Sequence, residues 1–223
     1  MVAPDQVAPA DQVAEEPAPD CRLCPRLAAY RDENARAHPD WHNAPVRAFG
    51  PLDAAVLVVG LAPGLRGANR TGRPFTGDFA GDLLYPSLIE GGLAAGAYAA
   101  RADDGLGLAD CRITNALRCV PPANKPVGAE LANCRPYLAA EIAAMPRLRA
   151  VLALGRVAHE AVLRAVGLKL RAHAFAHGAV HELPDGRTLF DSYHCSRYNT
   201  NTGRLTPEMF RAVIAAVRAR VSP

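Results

Sequence analysis

The sequence predicts a single α/β domain in which helices flank a parallel sheet of four strands. Three observations carry that reading. Four short runs (55–59, 113–117, 150–154 and 188–193) are apolar, rich in β-branched residues and bounded by turn formers. Helix-like stretches separate or follow them, at about 82–95, 128–145, 156–166 and 207–221. The chain has 223 residues, half of them apolar, which suits one domain with a full core. Strand–helix alternation calls for parallel neighbours joined by right-handed crossovers.

Taken in chain order, residues 1–20 carry five acidic side chains and no Lys or Arg, and repeat Asp-Gln-Val-Ala between prolines. Such a segment buries too little apolar surface to offset its ordering entropy. It reads as a flexible acidic tail, with the folded domain spanning 21–223. Without the tail, 25 basic residues face 17 acidic ones, a net charge of +8, and Lys125 and Lys169 are the only lysines. An arginine-rich body suggests a polyanionic partner, or reflects a GC-rich genome. No apolar run is long enough to span a bilayer and no secretion signal opens the chain, so a cytoplasmic protein without a membrane partner is expected.

Cys21 and Cys24 form a C-x2-C pair, and Cys119 and Cys134 a C-x14-C pair. In a chain without a secretion signal these spacings favour a metal site over disulfides. Four thiolates hold zinc or an iron–sulfur cluster; one tight and one wide pair suit a cluster better than two close zinc knuckles.

The first strand run opens into "GLAPGLRGANRTGRPFTGDFAG", residues 60–81, with six glycines, three arginines and one carboxylate, Asp78. Residues 67–72 have P-loop glycine spacing, but Arg73 and Pro74 replace the required Lys and Ser/Thr. No G-x-G-x-x-G or G-x-S-x-G is present. His173, His177 and His181 recur every four residues, but Gly178 and Pro184 would break a helix carrying them. Asn115 lies in the second strand run and His194 follows the last, so three chemically useful segments meet beyond the carboxyl ends of the strands, where parallel sheets bind ligands. In the last helix, Met209, Val213 and Val217 share a face beside Phe210, Ile214 and Val221, with Thr206 as N-cap and Pro207 at the start.

"GLAPG…NRTGRPFTGD", "ITNALRCVPPANKP" and "SYHCSRYNTNTGRLT" together resemble the uracil-DNA glycosylase superfamily, specifically its family 5, over the chain from Cys21 onward. The resemblance implies a four-stranded parallel sheet flanked by helices and a [4Fe–4S] cluster on Cys21, Cys24, Cys119 and Cys134. It also implies a monomeric enzyme that flips uracil out of double-stranded DNA and hydrolyses its N-glycosidic bond, leaving an abasic site. Hypoxanthine, xanthine and other deaminated bases are further candidate substrates.

The resemblance further implies residue roles. Asp78 is the catalytic acid, Asn124 handles the attacking water, and His194 stabilises the leaving base. Phe75 stacks on the base while Gly60 and Ala62 allow close approach. Asn115 fills the base-reading position of the related family 4, where many family 5 members carry a small apolar residue. Arg66, Arg70 and Arg73 meet phosphates, and Ser196, Arg197 and Tyr198 contact DNA after His194. Cys195 stands where proline is usual. A uracil-DNA binding protein that traps its substrate covalently is the alternative, but it requires an arginine-rich insertion with a histidine after the first motif. Residues 77–81 pass straight into a helix instead.

Overall fold

The computed structural model describes residues 14–222. Helix α1 (Pro25–Ala37) precedes strand β1 (Val56–Gly60), and a short turn α2 (Ala68–Thr71) leads to α3 (Phe79–Glu90). A small hairpin, β2 (Ala94–Ala95) and β3 (Gly107–Leu108), is followed by β4 (Cys111–Asn115) and α4 (Gly128–Ala143). The remainder is β5 (Ala150–Leu154), α5 (Arg156–Ala165), β6 (Val180–Glu182), β7 (Thr188–Ser192), α6 (Arg197–Asn201) and α7 (Pro207–Val221).

The central sheet has the order β4-β1-β5-β7-β6. Its first four strands are parallel, as expected, but β6 adds a fifth, antiparallel to β7. The expected count of four is therefore corrected to five. Alternate side chains of the buried strands feed two cores. Val56, Val58, Ile113, Leu152 and Phe190 face α3 and α7, whereas Leu57, Val59, Val151, Ala153 and Leu189 face α4 and α5. Helix α7 starts as its sequence dictates: Thr206 Oγ1 accepts from the Met209 N–H, with Pro207 at the first helical position.

Neither sheet edge offers a long free strand. On the β4 side, Phe49 exchanges backbone hydrogen bonds with Ile113 (2.9 and 2.8 Å). On the other side β6 is only three residues long. Among the described residues no helix is long and apolar enough to cross a membrane.

Of the expected acidic tail, residues 1–13 lie outside the described residues; within 14–20, Ala14 and Pro17 are buried. Glu16 accepts from the Ala48 N–H (3.0 Å) and faces Arg118. Arg118 in turn pairs with Glu141 of α4, which also receives Arg112 of β4 (2.8 Å). All three of these latter side chains are buried.

Candidate active site

Strand order places a crevice beyond the carboxyl ends of β1 and β4, with the segment after β7 closing one side. A cavity of about 370 Å³ opens there, lined by Ala62, Phe75, Asp78, Asn115, Asn124, His194, Ser196 and Arg197 among others. Gly60 ends β1 opposite Asn115 of β4. A Cβ on Gly60 would lie 2.4 Å from both Asn115 Oδ1 and Phe75 Cζ, so this strand must end without a side chain. Asn115 is buried, and its Oδ1 has no hydrogen-bond partner. Asn115 lines the cavity, so a buried acceptor without a donor stands at its wall.

Asp78 caps α3, accepting from the Ala80 N–H (3.2 Å). Its other oxygen lies against the backbone of the preceding loop: a Cβ on Gly67 would come within 2.2 Å of Oδ2, and one on Gly64 within 2.8 Å. The two glycines form the cradle of the carboxylate. Desolvation raises the Asp78 pKa, opposed by the amides of Gly81 and Ala80 at the helix start. The result is a carboxylate held short of water and therefore a stronger proton acceptor.

Phe75 occupies a left-handed conformation (φ 52°) although it carries a bulky ring. Such a residue costs about 1–3 kcal/mol and persists only where surroundings enforce it. Its ring faces His194 at 5.9 Å between centroids and 29° between planes. A base sandwiched between them would need roughly 7 Å, twice the stacking step of a nucleic-acid strand. The gap between the two rings therefore does not admit a flat ring stacked on both at once. Burial lowers the His194 pKa to about 4, so its imidazole is neutral at physiological pH and offers a donor without a charge.

Asn124 reaches the cavity from an exposed turn at 122–124, held at φ 55°. Ser196 caps α6, and Arg197 lies over the Phe79 ring (5.3 Å). Tyr198, 72 % exposed, stands beside them. Arg66 and Arg70 are exposed on the outer rim of the loop. Arg73 is not. Expected to meet phosphate, it is buried in a two-pronged ion pair with Asp104 (2.7 Å on each arm) and cannot reach DNA.

The family profile of the uracil DNA glycosylase superfamily matches residues 47–218, which hold every residue named so far in this cavity. The chain is 50 % identical over 200 residues to the type-5 uracil-DNA glycosylase of Thermus thermophilus, covering 87 % of this chain and 90 % of the relative. The chain belongs to the uracil DNA glycosylase superfamily. Identity is 45 % over 197 residues with the type-5 uracil-DNA glycosylase of Mycobacterium leprae (85 % of this chain, 86 % of the relative). It is 42 % over 204 residues with that of Pyrobaculum aerophilum (90 % and 88 %). The family 5 branch read from the motifs is the branch of these relatives.

Outside the segment matched by the superfamily profile, Cys21 and Cys24 at the start of α1 meet Cys119 and Cys134 across a small apolar cluster with Leu27 and Leu117. Arg31 is buried beside them without a carboxylate partner among the described residues. It donates to Cys119 Sγ (3.2 Å) and to the Cys21 carbonyl (2.8 Å). Arg118 N–H and Asn133 Nδ2 donate to Cys134 Sγ (3.4 Å) and Cys24 Sγ (3.6 Å). Burial pushes the Cys119 and Cys134 thiols up to about 12 and about 11 in the absence of a cation.

His173, His177 and His181 do not share a helix. His181 sits on β6 and pairs with Asp191 of β7 (3.1 Å), which also holds His159 of α5 (2.8 Å). These three bring ligand-type atoms within 4.8 Å of one another, but hydrogen bonds occupy them. His159 also presents Nε2 to the His173 carbonyl (2.9 Å), so both its nitrogens face acceptors, which suits the imidazolium. Burial would lower its pKa, yet the bond and charge of Asp191 outweigh burial and raise it.

Sequence reading missed part of this glycosylase pocket. Gly64 and Gly67 were legible as backbone-exposing residues but not as the seat of Asp78. Asp104, Tyr85 and Tyr98, which surround Arg73, lie in no motif. Cys111 and Cys195 are fully buried with raised thiol pKa values and belong to the core.

Proposed function

We propose that the protein is a monofunctional uracil-DNA glycosylase that extrudes uracil from duplex DNA, as a monomer, and hydrolyses its glycosidic bond. The orphan Asn115 Oδ1 carries this reading. Uracil places an N3–H donor beside an O4 acceptor, and a primary amide answers both, Oδ1 accepting and Nδ2 donating. Cytosine presents the reverse pattern and would leave two buried groups unpaired. With the base on Phe75, its O2 edge points toward the neutral His194.

C1′–N1 cleavage sends the bonding pair to the base, which leaves as an anion, while positive charge develops on the sugar. The His194 N–H donates to O2 and stabilises that anion. Asp78 offsets the sugar charge and accepts the proton of a water whose oxygen bonds to C1′. Asn124, across the cavity mouth, orients the water. Arg66 and Arg70 on the rim suit phosphates, and the exposed Tyr198 suits the gap left by the extruded base. A cavity of about 370 Å³ also admits a purine, so hypoxanthine and xanthine are further substrates.

Cys21, Cys24, Cys119 and Cys134 would hold a [4Fe–4S] cluster. Two features support the fit. The four cysteines converge on one small apolar pocket with Leu27 and Leu117. The buried, carboxylate-free Arg31 calls for negative charge at the thiols. The cluster would tie the start of α1 to the β4–α4 segment and serve the fold.

The test is turnover on a uracil-containing duplex with enzyme limiting. Many abasic sites per enzyme are expected. A burst of one equivalent followed by a covalent protein–DNA adduct would overturn the reading in favour of a binding protein.

A further inference from the structure

We propose that Arg73 and Asp104 are positioning residues that fix the Phe75 ring for base stacking, a role that rests on the glycosylase reading and extends it beyond the cavity. Asp104 lies 31 residues from Arg73, in the loop between β2 and β3, with a fully buried side chain. Each of its oxygens accepts twice: Oδ1 from Arg73 Nη1 and the Leu106 N–H, and Oδ2 from Arg73 Nη2 and the Ala99 N–H. The carboxylate is thus rigidly seated before it meets the guanidinium.

Arg73 transmits that rigidity to Phe75. Its Nε donates to Thr76 Oγ1 (2.7 Å), and its guanidinium lies 5.2–5.9 Å from the ring centres of Tyr85, Phe49 and Tyr98. Two of these rings hold the backbone on either side of Phe75. Tyr85 OH donates to the Pro74 carbonyl (2.6 Å), and Tyr98 OH donates to the Phe75 carbonyl (3.3 Å) while accepting from the Gly77 N–H (3.3 Å). Gly81 packs so tightly on the Phe75 carbonyl that a Cβ there would lie 1.9 Å away. Residues 74–77 are therefore gripped from outside the cavity, on the side away from DNA. That grip accounts for a phenylalanine at positive φ, a conformation its own side chain disfavours.

A positioning role predicts loss of base affinity with the chemistry spared. Asp104→Asn keeps the shape and removes the charge that seats Arg73. KM for uracil-containing duplex and the inhibition constant of free uracil should both rise about tenfold, with kcat changed less than threefold. Affinity for abasic-site DNA, which offers no base to stack, should stay within twofold. In a Phe75→Ala background the same substitution should add nothing, because its effect passes through the ring. Tyr98→Phe, which removes only the hydroxyl on the Phe75 carbonyl, should raise the uracil inhibition constant about threefold, and it decides the matter should Asp104→Asn fail to fold. Unchanged uracil inhibition, or full additivity with Phe75→Ala, would overturn the proposal. A wild-type enzyme that cleaves nothing would instead overturn the glycosylase reading.

Discussion

Replacing Asp78 with asparagine removes one negative charge and one proton-accepting oxygen while leaving an amide oxygen to accept from the Ala80 N–H. Loss of a preorganised electrostatic group lowers rates by roughly 10²–10³-fold, about 2.7–4 kcal/mol of transition-state stabilisation. The glycine cradle packs against one Asp78 oxygen and partly desolvates the carboxylate, which places the expected loss at or above 10²-fold. Stability should move the other way. A carboxylate whose pKa is raised by burial binds its proton more tightly folded than unfolded, so it lowers stability as pH climbs past its ordinary value. Asparagine escapes that penalty and caps a helix as well as aspartate does. Asp78→Asn should therefore melt above wild type at pH 7, with the gap closing as pH falls into the carboxylate range. Asp78→Ala loses the cap as well and should lie about 1 kcal/mol, or roughly 2–4 °C, below Asp78→Asn. Single-turnover cleavage of a labelled uracil oligonucleotide gives the rate, and thermal melting at two pH values gives the stability. A wild-type rate for Asp78→Asn would place the acid elsewhere. A slow Asp78→Asn that also melts early would make the Asp78 charge a stabilising structural group.

Asn115→Ala should cut the single-turnover rate on uracil by about 10-fold or more but on hypoxanthine less, without loss of Tm, because it deletes an unpaired oxygen; equal slowing on both bases would refute base reading. Asp191→Asn should destabilise the protein most below about pH 6.5 and progressively less above it. The raised His159 pKa contributes stability below the unfolded value and loses it as pH rises through the folded one, and chemical denaturation across pH checks this. Deletion through residue 20 removes Glu16 from Ala48 and Arg118 and should cost about 2 kcal/mol, read as a drop in Tm. If the four cysteines hold the proposed cluster, Arg31→Met should lower iron per chain and shorten the lifetime of the cluster's visible absorbance in air severalfold; an unchanged lifetime would mean that Arg31 does not offset the charge proposed at the thiols.

The strands β1 and β5 were legible because each is a continuous apolar run buried on both faces, and β7 through Leu189 and Phe190 although Thr188, Asp191 and Ser192 are buried beside them. Strand β4 begins two residues earlier than its apolar run, since Arg112 is buried there through its pairing with Glu141, which residue type alone does not reveal. Strand β6 escaped notice because Val180, His181 and Glu182 carry no pattern beyond three residues and two of them are exposed. Helix α3 begins at Phe79, ahead of the expected 82, because Asp78 supplies a cap to a stretch that reads as loop. Within the pocket, motif residues were legible by type and order. Arg73 was misplaced because an arginine among glycines reads as solvent-facing, and only the distant Asp104 makes its burial tolerable.

The protected sheet edges bear on how the protein behaves when crowded. A parallel sheet with free rims offers hydrogen-bonding groups to any strand that passes, including those of neighbouring copies. Here Phe49 seals one rim, and the three residues of β6, with Glu182 exposed and Pro184 two positions later, blunt the other. Removing the segment around 46–50 would leave the pocket residues in the chain yet unmask β4. The resulting fault would surface as fibrous or amorphous aggregation during expression, well before any loss of cleavage per folded molecule.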